Sequence, residues 1–93
     1  MNVRYTESAL GEVDEILAHI AKNNPLAADE VAVVLRATIR RITDYPRLAI
    51  ETDEPGVRVA PILPYRYLIF YSIDDDTVII RNVLHSARDR LSV

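Results

Sequence analysis

Cysteine is absent from the 93 residues, so disulfides and cysteine-based zinc sites are excluded, in keeping with a reducing, cytoplasmic setting. Lysine is nearly absent: ten of the 11 cations are Arg and only Lys22 is Lys. Arg is the planar, bidentate cation suited to carboxylate or phosphate recognition. Long apolar runs are missing too. Stretches such as residues 31–35 fall far below the ~20 residues a membrane helix needs, so no membrane association is expected. The opening MNVRYTES has no apolar core of the secretory type, so no signal peptide is expected. Excess positive charge is also lacking. Net charge is −3, which argues against broad nucleic-acid binding through a positive field. No phosphate loop, GxSxG or HExxH occurs.

What is present is a globular composition, 49% hydrophobic and 27% charged. The length supports one domain, residues 1–93, burying roughly 60–65% of the surface its unfolded chain exposes. A partner covering further apolar surface would stabilise so small a fold. No repeat, low-complexity tract or internal boundary interrupts it.

Residues 2–5 read as a short strand. Thr6 and Ser8 offer helix-capping oxygens, and Leu10, Val13, Ile16, Leu17 and Ile20 recur at helical spacing, predicting a helix over 7–22. Gly11 inside it suggests a close helix contact. Asn24 as cap and Pro25 as first helical residue begin a second helix, with Val31, Leu35, Ile39 and Ile42 on one stripe and a stop before Pro46. Arg36, Arg40 and Arg41 read as its solvated side. So short a connection makes the two helices an antiparallel hairpin. Residues 47–56 read as a polar, irregular loop.

Three strand signals follow. The first, over 57–63, contains Pro61, which marks an edge strand or a bulge. The second covers 65–73, Asp74, Asp75 and Asp76 make a three-residue turn, and the third covers 77–85. The expected class is therefore α+β, in the order β-α-α-β-β-β. The strand over 65–73 is apolar or aromatic on both faces, as in a sheet buried on both sides. Two helices cover only one face, so the other is expected to be a binding surface. Pairing Ile73 with Thr77 puts Tyr65, Tyr67 and Tyr71 on one face with Arg81 and His85. Leu68, Phe70, Val78, Ile80 and Leu84 then form the core face.

His85 has two readings: an acid or base titrating near neutral pH, or a hydrogen-bonding residue at a strand end. It stands about 13 Å along the strand from Arg81, so the two are not a bonded pair. Its nearer companions are Tyr65 across the ladder and Arg88 beyond the strand. His19 reads as a surface residue of the first helix. Arg58, Arg66, Arg81 and Arg88 either converge on one sheet edge to hold phosphate or carboxylate, or are solvated. Asp74, Asp75 and Asp76 point different ways in a tight turn and lack calcium-loop spacing, so no metal and no cofactor is expected.

The segment PYRYLIFYSIDDDTVIIRNVLHSARD, with the preceding DEPGVRVAPI, resembles the C-terminal half of the ParE/RelE toxin superfamily. It is most similar to the ParE-like branch, the plasmid stabilisation proteins. That branch shows a Pro-Tyr-rich strand ending in Ile-Phe-Tyr, an acidic turn and an apolar strand closing on His-x-x-Arg-Asp. Here these are residues 67–71, Asp74 to Asp76, and His85, Arg88 and Asp89. The resemblance implies a four-stranded, mainly antiparallel sheet with a helical hairpin packed on one face and the first strand beside the last. It implies the toxin of a type II toxin–antitoxin pair, wrapped by a cognate antitoxin. ParE-like members inhibit DNA gyrase by binding it. RelE-like members cut mRNA in the ribosome, with basic residues and often a late Tyr around the scissile phosphate. This sequence has no Lys beyond Lys22, no Tyr after Tyr71 and an acidic balance, which favours a non-enzymatic inhibitor of gyrase. The alternatives are an mRNA endonuclease using Arg58, Arg66, Arg81, His85 and Arg88, and an inactive antitoxin-binding module. The expected antitoxin or target surface is Tyr65, Tyr67, Tyr71, Arg81, His85 and Arg88.

Overall fold

The computed structural model describes residues 1–86, so the expectations resting on Arg88 and Asp89 lie outside the described residues. Strand β1 (Asn2–Tyr5) leads into helix α1 (Glu7–Asn23) and helix α2 (Pro25–Asp44). Strands β2 (Ile50–Glu51), β3 (Val57–Ile62), β4 (Tyr67–Asp74) and β5 (Thr77–His85) follow.

Both helix starts are fixed by side-chain caps. The Thr6 hydroxyl accepts from the Ala9 N–H at 3.0 Å, and the Asn24 side-chain carbonyl accepts from the Ala27 N–H at 3.1 Å. Each satisfies a donor that the first turn leaves without a helical partner. Pro25 opens α2, and α2 ends at Asp44, just ahead of Pro46. The apolar stripe of α2 is buried as its spacing implies, at Val31, Leu35, Ile39 and Ile42. On α1 the stripe holds at Val13, Ile16, Leu17 and Ile20, all half-buried, and departs only at its first position. Ala9 is buried and Leu10 is exposed. Gly11 does not mark a close contact, because a Cβ placed there meets nothing within 4 Å.

The sheet has five strands in the order β1-β5-β4-β3-β2. β1 runs parallel to β5, and the other neighbours are antiparallel. The fifth strand is the two-residue β2, formed within the segment that reads as an irregular loop. Its pairing reaches only Arg58 and Val59, so Pro61 sits on an uncovered stretch of edge. Loss of a ladder donor costs nothing there.

The β4–β5 hairpin corrects the sequence-based register. Asp74 pairs with Thr77, so the connection is two residues, not three. Asp75 makes this possible by taking a positive φ of 55°, which Asp tolerates better than most residues. Near the turn, Ile73 faces Val78 and Tyr71 faces Ile80. The ladder then shifts between Tyr71 and Phe70, whose partners are Ile80 and Asn82, leaving Arg81 as the extra residue of a bulge. Beyond the bulge Tyr67 faces His85, where the sequence reading pairs Tyr65 with His85.

A one-residue slip exchanges faces, so the helices cover the face of β4 opposite to the one expected, while Val78 and Ile80 of β5, before the bulge, lie in the core as expected. Ile69, Tyr71, Val78, Ile80 and Val83 form the core with Ala60 and Ile62 of β3, against Ala9, Leu35, Ile39 and Ile42. Each fully buried aliphatic side chain contributes about 1.5–3 kcal/mol. Leu68, Phe70 and Leu84, expected in the core, are half-buried on the other face.

Candidate functional site

Tyr71 is the centre of the core, not part of a surface. Its side chain is fully buried, and its hydroxyl donates to the Pro46 carbonyl at 2.6 Å. That bond fastens the segment leaving α2 onto the middle of the sheet. Burial pushes the phenol above its ordinary 10.0, and the nearby Arg58 guanidinium pulls it partly back.

Arg58, on β3, is committed to the same segment. Its Nη1 donates to the Ala49 carbonyl at 2.7 Å and to the Arg47 carbonyl at 3.2 Å, and its Nη2 lies 3.6 Å from the Glu51 carboxylate. The two carbonyls take both N–H groups of Nη1, and the carboxylate faces Nη2. Arg81, two strands away on β5, stands at the bulge and is exposed. Its Nη1 makes a long 3.4 Å contact with the Ser72 hydroxyl. Ser72 belongs to the face of β4 turned away from Tyr71, so Arg81 and Arg58 serve opposite faces. Two strand spacings alone separate their backbones by about 10 Å. Arg66 is exposed in the turn before β4. The four described candidates for phosphate chemistry, Arg58, Arg66, Arg81 and His85, therefore do not share one sheet edge.

His85 and Tyr67 do come together. Their rings meet edge to face at 5.2 Å between centroids, with an interplanar angle of 88°. They line a cleft of about 770 Å³ between β5 and α1, with Glu12, Glu15 and His19 from the helix. Tyr65 lies half-buried beside the core at the end of the turn that precedes β4. Among the described residues no group of three or more His, Asp or Glu is arranged to hold a metal ion.

Sequence reasoning missed Glu12. Its carboxylate accepts from the Val83 N–H at 2.9 Å and from the Asn82 amide at 3.1 and 3.3 Å. The pairing of β1 stops opposite Ile80, so the remaining length of β5 would be an open edge. Thr6 and Glu12 close it: the Thr6 N–H donates to the Ile80 carbonyl at 3.0 Å, and the Thr6 hydroxyl to the Arg81 carbonyl at 2.8 Å. A signal was available. Glu12 is three residues from Ala9 and four from Ile16, a carboxylate on the inward stripe of α1.

Comparison with known proteins agrees with this fold. Residues 3–90 match the family described as the ParE toxin of type II toxin–antitoxin system, parDE. Toxin RelE2 of Caulobacter vibrioides is 34% identical over 89 residues, covering 92% of this chain and 96% of that protein. Among solved structures, the chromosomal ParDE TA system from P. aeruginosa superposes with a TM-score of 0.81 at 15% identity, covering 91% of this chain and 95% of that one. The toxin–antitoxin complex RelBE of E. coli superposes at 0.63 and 16% identity, covering 88% and 92%. The chain belongs to the ParE toxin family, within the ParE/RelE superfamily, and is the toxin component of a type II toxin–antitoxin system.

Proposed function

We propose that this chain, as one toxin domain over residues 1–93, arrests growth by binding its target and not by cleaving RNA. The target is DNA gyrase, by family analogy. A cognate antitoxin neutralises the chain in the cytoplasm, and no cofactor takes part. The observation that carries this reading is the dispersal of the candidate cations among the described residues. A nuclease has to gather positive charge and acid–base groups around one scissile phosphate. Here Arg58 is held by the Arg47 and Ala49 carbonyls, while Arg81 stands two strands away on the opposite face. Association of the structural relatives with antitoxins supports the partner. No described helix is long and apolar enough to cross a membrane.

The similarity to Toxin RelE2 favours a second reading, ribosome-dependent mRNA cleavage. On that reading His85, in its cleft with Tyr67, Glu15 and His19, supplies the acid or base. Expression of the chain without antitoxin separates the two. Gyrase inhibition gives filamentous cells, DNA-damage signalling and intact mRNA. Cleavage of mRNA at fixed codon positions overturns the proposal in favour of the nuclease, and growth without any defect overturns both.

A further inference from the structure

The apolar surface of the described residues is not spread evenly. Ten large hydrophobic side chains are exposed, and four of them, Tyr45, Leu48, Ile50 and Leu63, crowd around a single groove of about 310 Å³. Leu48 is 81% exposed and Ile50 75%, and clustered exposure of this kind marks an interaction surface. The groove runs along the outer edge of β3, under the last turn of α2. Its floor is apolar, from Ile42, Ala49 and Ala60, and its walls are held in place from below. The Tyr71 hydroxyl and the Arg58 guanidinium fix the carbonyls of Pro46, Arg47 and Ala49, so the rim is preformed.

Two features say what fits it. The first is charge. Arg41 lines the groove, and no carboxylate does so among the described residues, although the whole chain carries −3. The second is the edge itself. The Thr52 N–H bonds the Val57 carbonyl, so residues 57, 59 and 61 turn their backbone groups outward, by the alternation of a strand. Past the reach of β2 the outward residue is Pro61, which has no N–H to offer an added strand. The edge therefore disfavours strand addition, and the occupant is recognised by its side chains.

We infer that this groove is the seat of an apolar, carboxylate-bearing segment of the antitoxin, with anchors inserted among Tyr45, Leu48, Ile50 and Leu63 and an acidic group facing Arg41. The inference rests on the antitoxin partnership proposed above. The test is calorimetric titration of the purified full chain with the purified antitoxin encoded beside it. Leu48→Asp and Ile50→Asp together should weaken binding by about tenfold or more, the scale of a lost anchor. Arg41→Glu should weaken it several-fold, with a larger loss at low salt than at high salt. Leu26→Asp, at a residue 69% exposed at the start of α2 and outside the groove, should leave binding unchanged. If the double variant melts below the wild type, Arg41→Glu alone decides, since it alters an exposed helix position. Wild-type binding that these groove variants leave intact overturns the inference alone. A wild-type chain that does not bind the antitoxin at all overturns the partnership and the inference with it. Sedimentation adds one more arm: a wild-type dimer that the double variant dissociates, with antitoxin affinity unchanged, assigns the groove to a second copy of this chain and overturns the inference.

Discussion

The two edges of this sheet solve the same problem in opposite ways. Past the end of β1, the edge of β5 is closed by side chains from one short stretch of α1 and its cap. Thr6 gives its hydroxyl to the Arg81 carbonyl, and Glu12 takes the Val83 N–H. Past the end of β2, the edge of β3 is left uncovered and is blunted by Pro61. Around the closed edge the polar groups are paired and half-buried. Around the open edge stand Leu48 and Ile50, largely exposed. An unpaired strand edge is a liability in a small protein. A protein that closes one edge with a carboxylate and leaves the other apolar has divided its sheet into a side for folding and a side for meeting something else.

The largest expected effect lies at the closed edge. Glu12→Ala removes the acceptor of the Val83 N–H and the Asn82 amide together. Leaving a half-buried donor unpaired costs about 1–3 kcal/mol, so the urea midpoint should fall by a corresponding amount. Glu12→Gln keeps one acceptor oxygen and should lose less than half as much. Equal losses for the two variants would mean that charge, not hydrogen bonding, closes the edge.

Next comes the anchor beneath the open edge. Tyr71→Phe leaves the Pro46 carbonyl without its donor and should cost about 1 kcal/mol near neutral pH. The same residue gives a pH dependence whose sign follows from linkage. Its phenol is raised above 10.0 by burial, so above that pH the unfolded chain releases the proton first. The contribution of Tyr71 is therefore complete below 10.0 and is lost as pH rises beyond it. Urea midpoints measured in alkaline buffers should fall more steeply for the wild type than for Tyr71→Phe. Parallel curves would show that the buried phenol is not the group responsible.

How much of this contrast could be read from the sequence follows from the range of the forces involved. Helix starts at Thr6 and Asn24, the stripe from Val31 to Ile42 and the stop before Pro46 were legible, because caps and periodicity act over a few residues. The element order was legible for the same reason. The register of β5 was not. It depends on Asp75 adopting a left-handed conformation and on Arg81 bulging out, and neither leaves a mark in the alternation of apolar residues. One slipped residue then moved the tyrosine face from surface to core. The short β2 was hidden because a two-residue strand has no period to detect. At the candidate site, the residue types were legible but their convergence was not. Arg58 and Arg81 are equally plausible phosphate ligands until the fold turns one toward the carbonyls of residues 47 and 49 and the other to the opposite face.

Smaller effects sharpen the division between the edges. Gly11 lies in the interior of α1, on its exposed side, and a methyl group added at its Cα would have no neighbouring atom within 4 Å. Gly11→Ala should therefore stabilise the fold by about 0.4–1 kcal/mol, through helix propensity and a less disordered unfolded chain. A loss of stability on this substitution would place an unseen neighbour against α1.

The smallest expected effect is the most telling. Leu48→Asp exchanges a large apolar side chain for a charge, a change that costs several kcal/mol in a core. At 81% exposure, Leu48 buries little surface on folding, and the change should alter stability by no more than about 0.5 kcal/mol in either direction. The comparison with Glu12→Ala is then direct. One variant removes a polar side chain and unsettles the fold; the other removes an apolar side chain and leaves it intact. That ordering follows burial and hydrogen bonding rather than side-chain polarity, and it marks Leu48 as a residue the fold itself does not need. A fall in melting temperature for Leu48→Asp as large as that for Glu12→Ala would make the 45–50 segment part of the core and dissolve the distinction between the two edges.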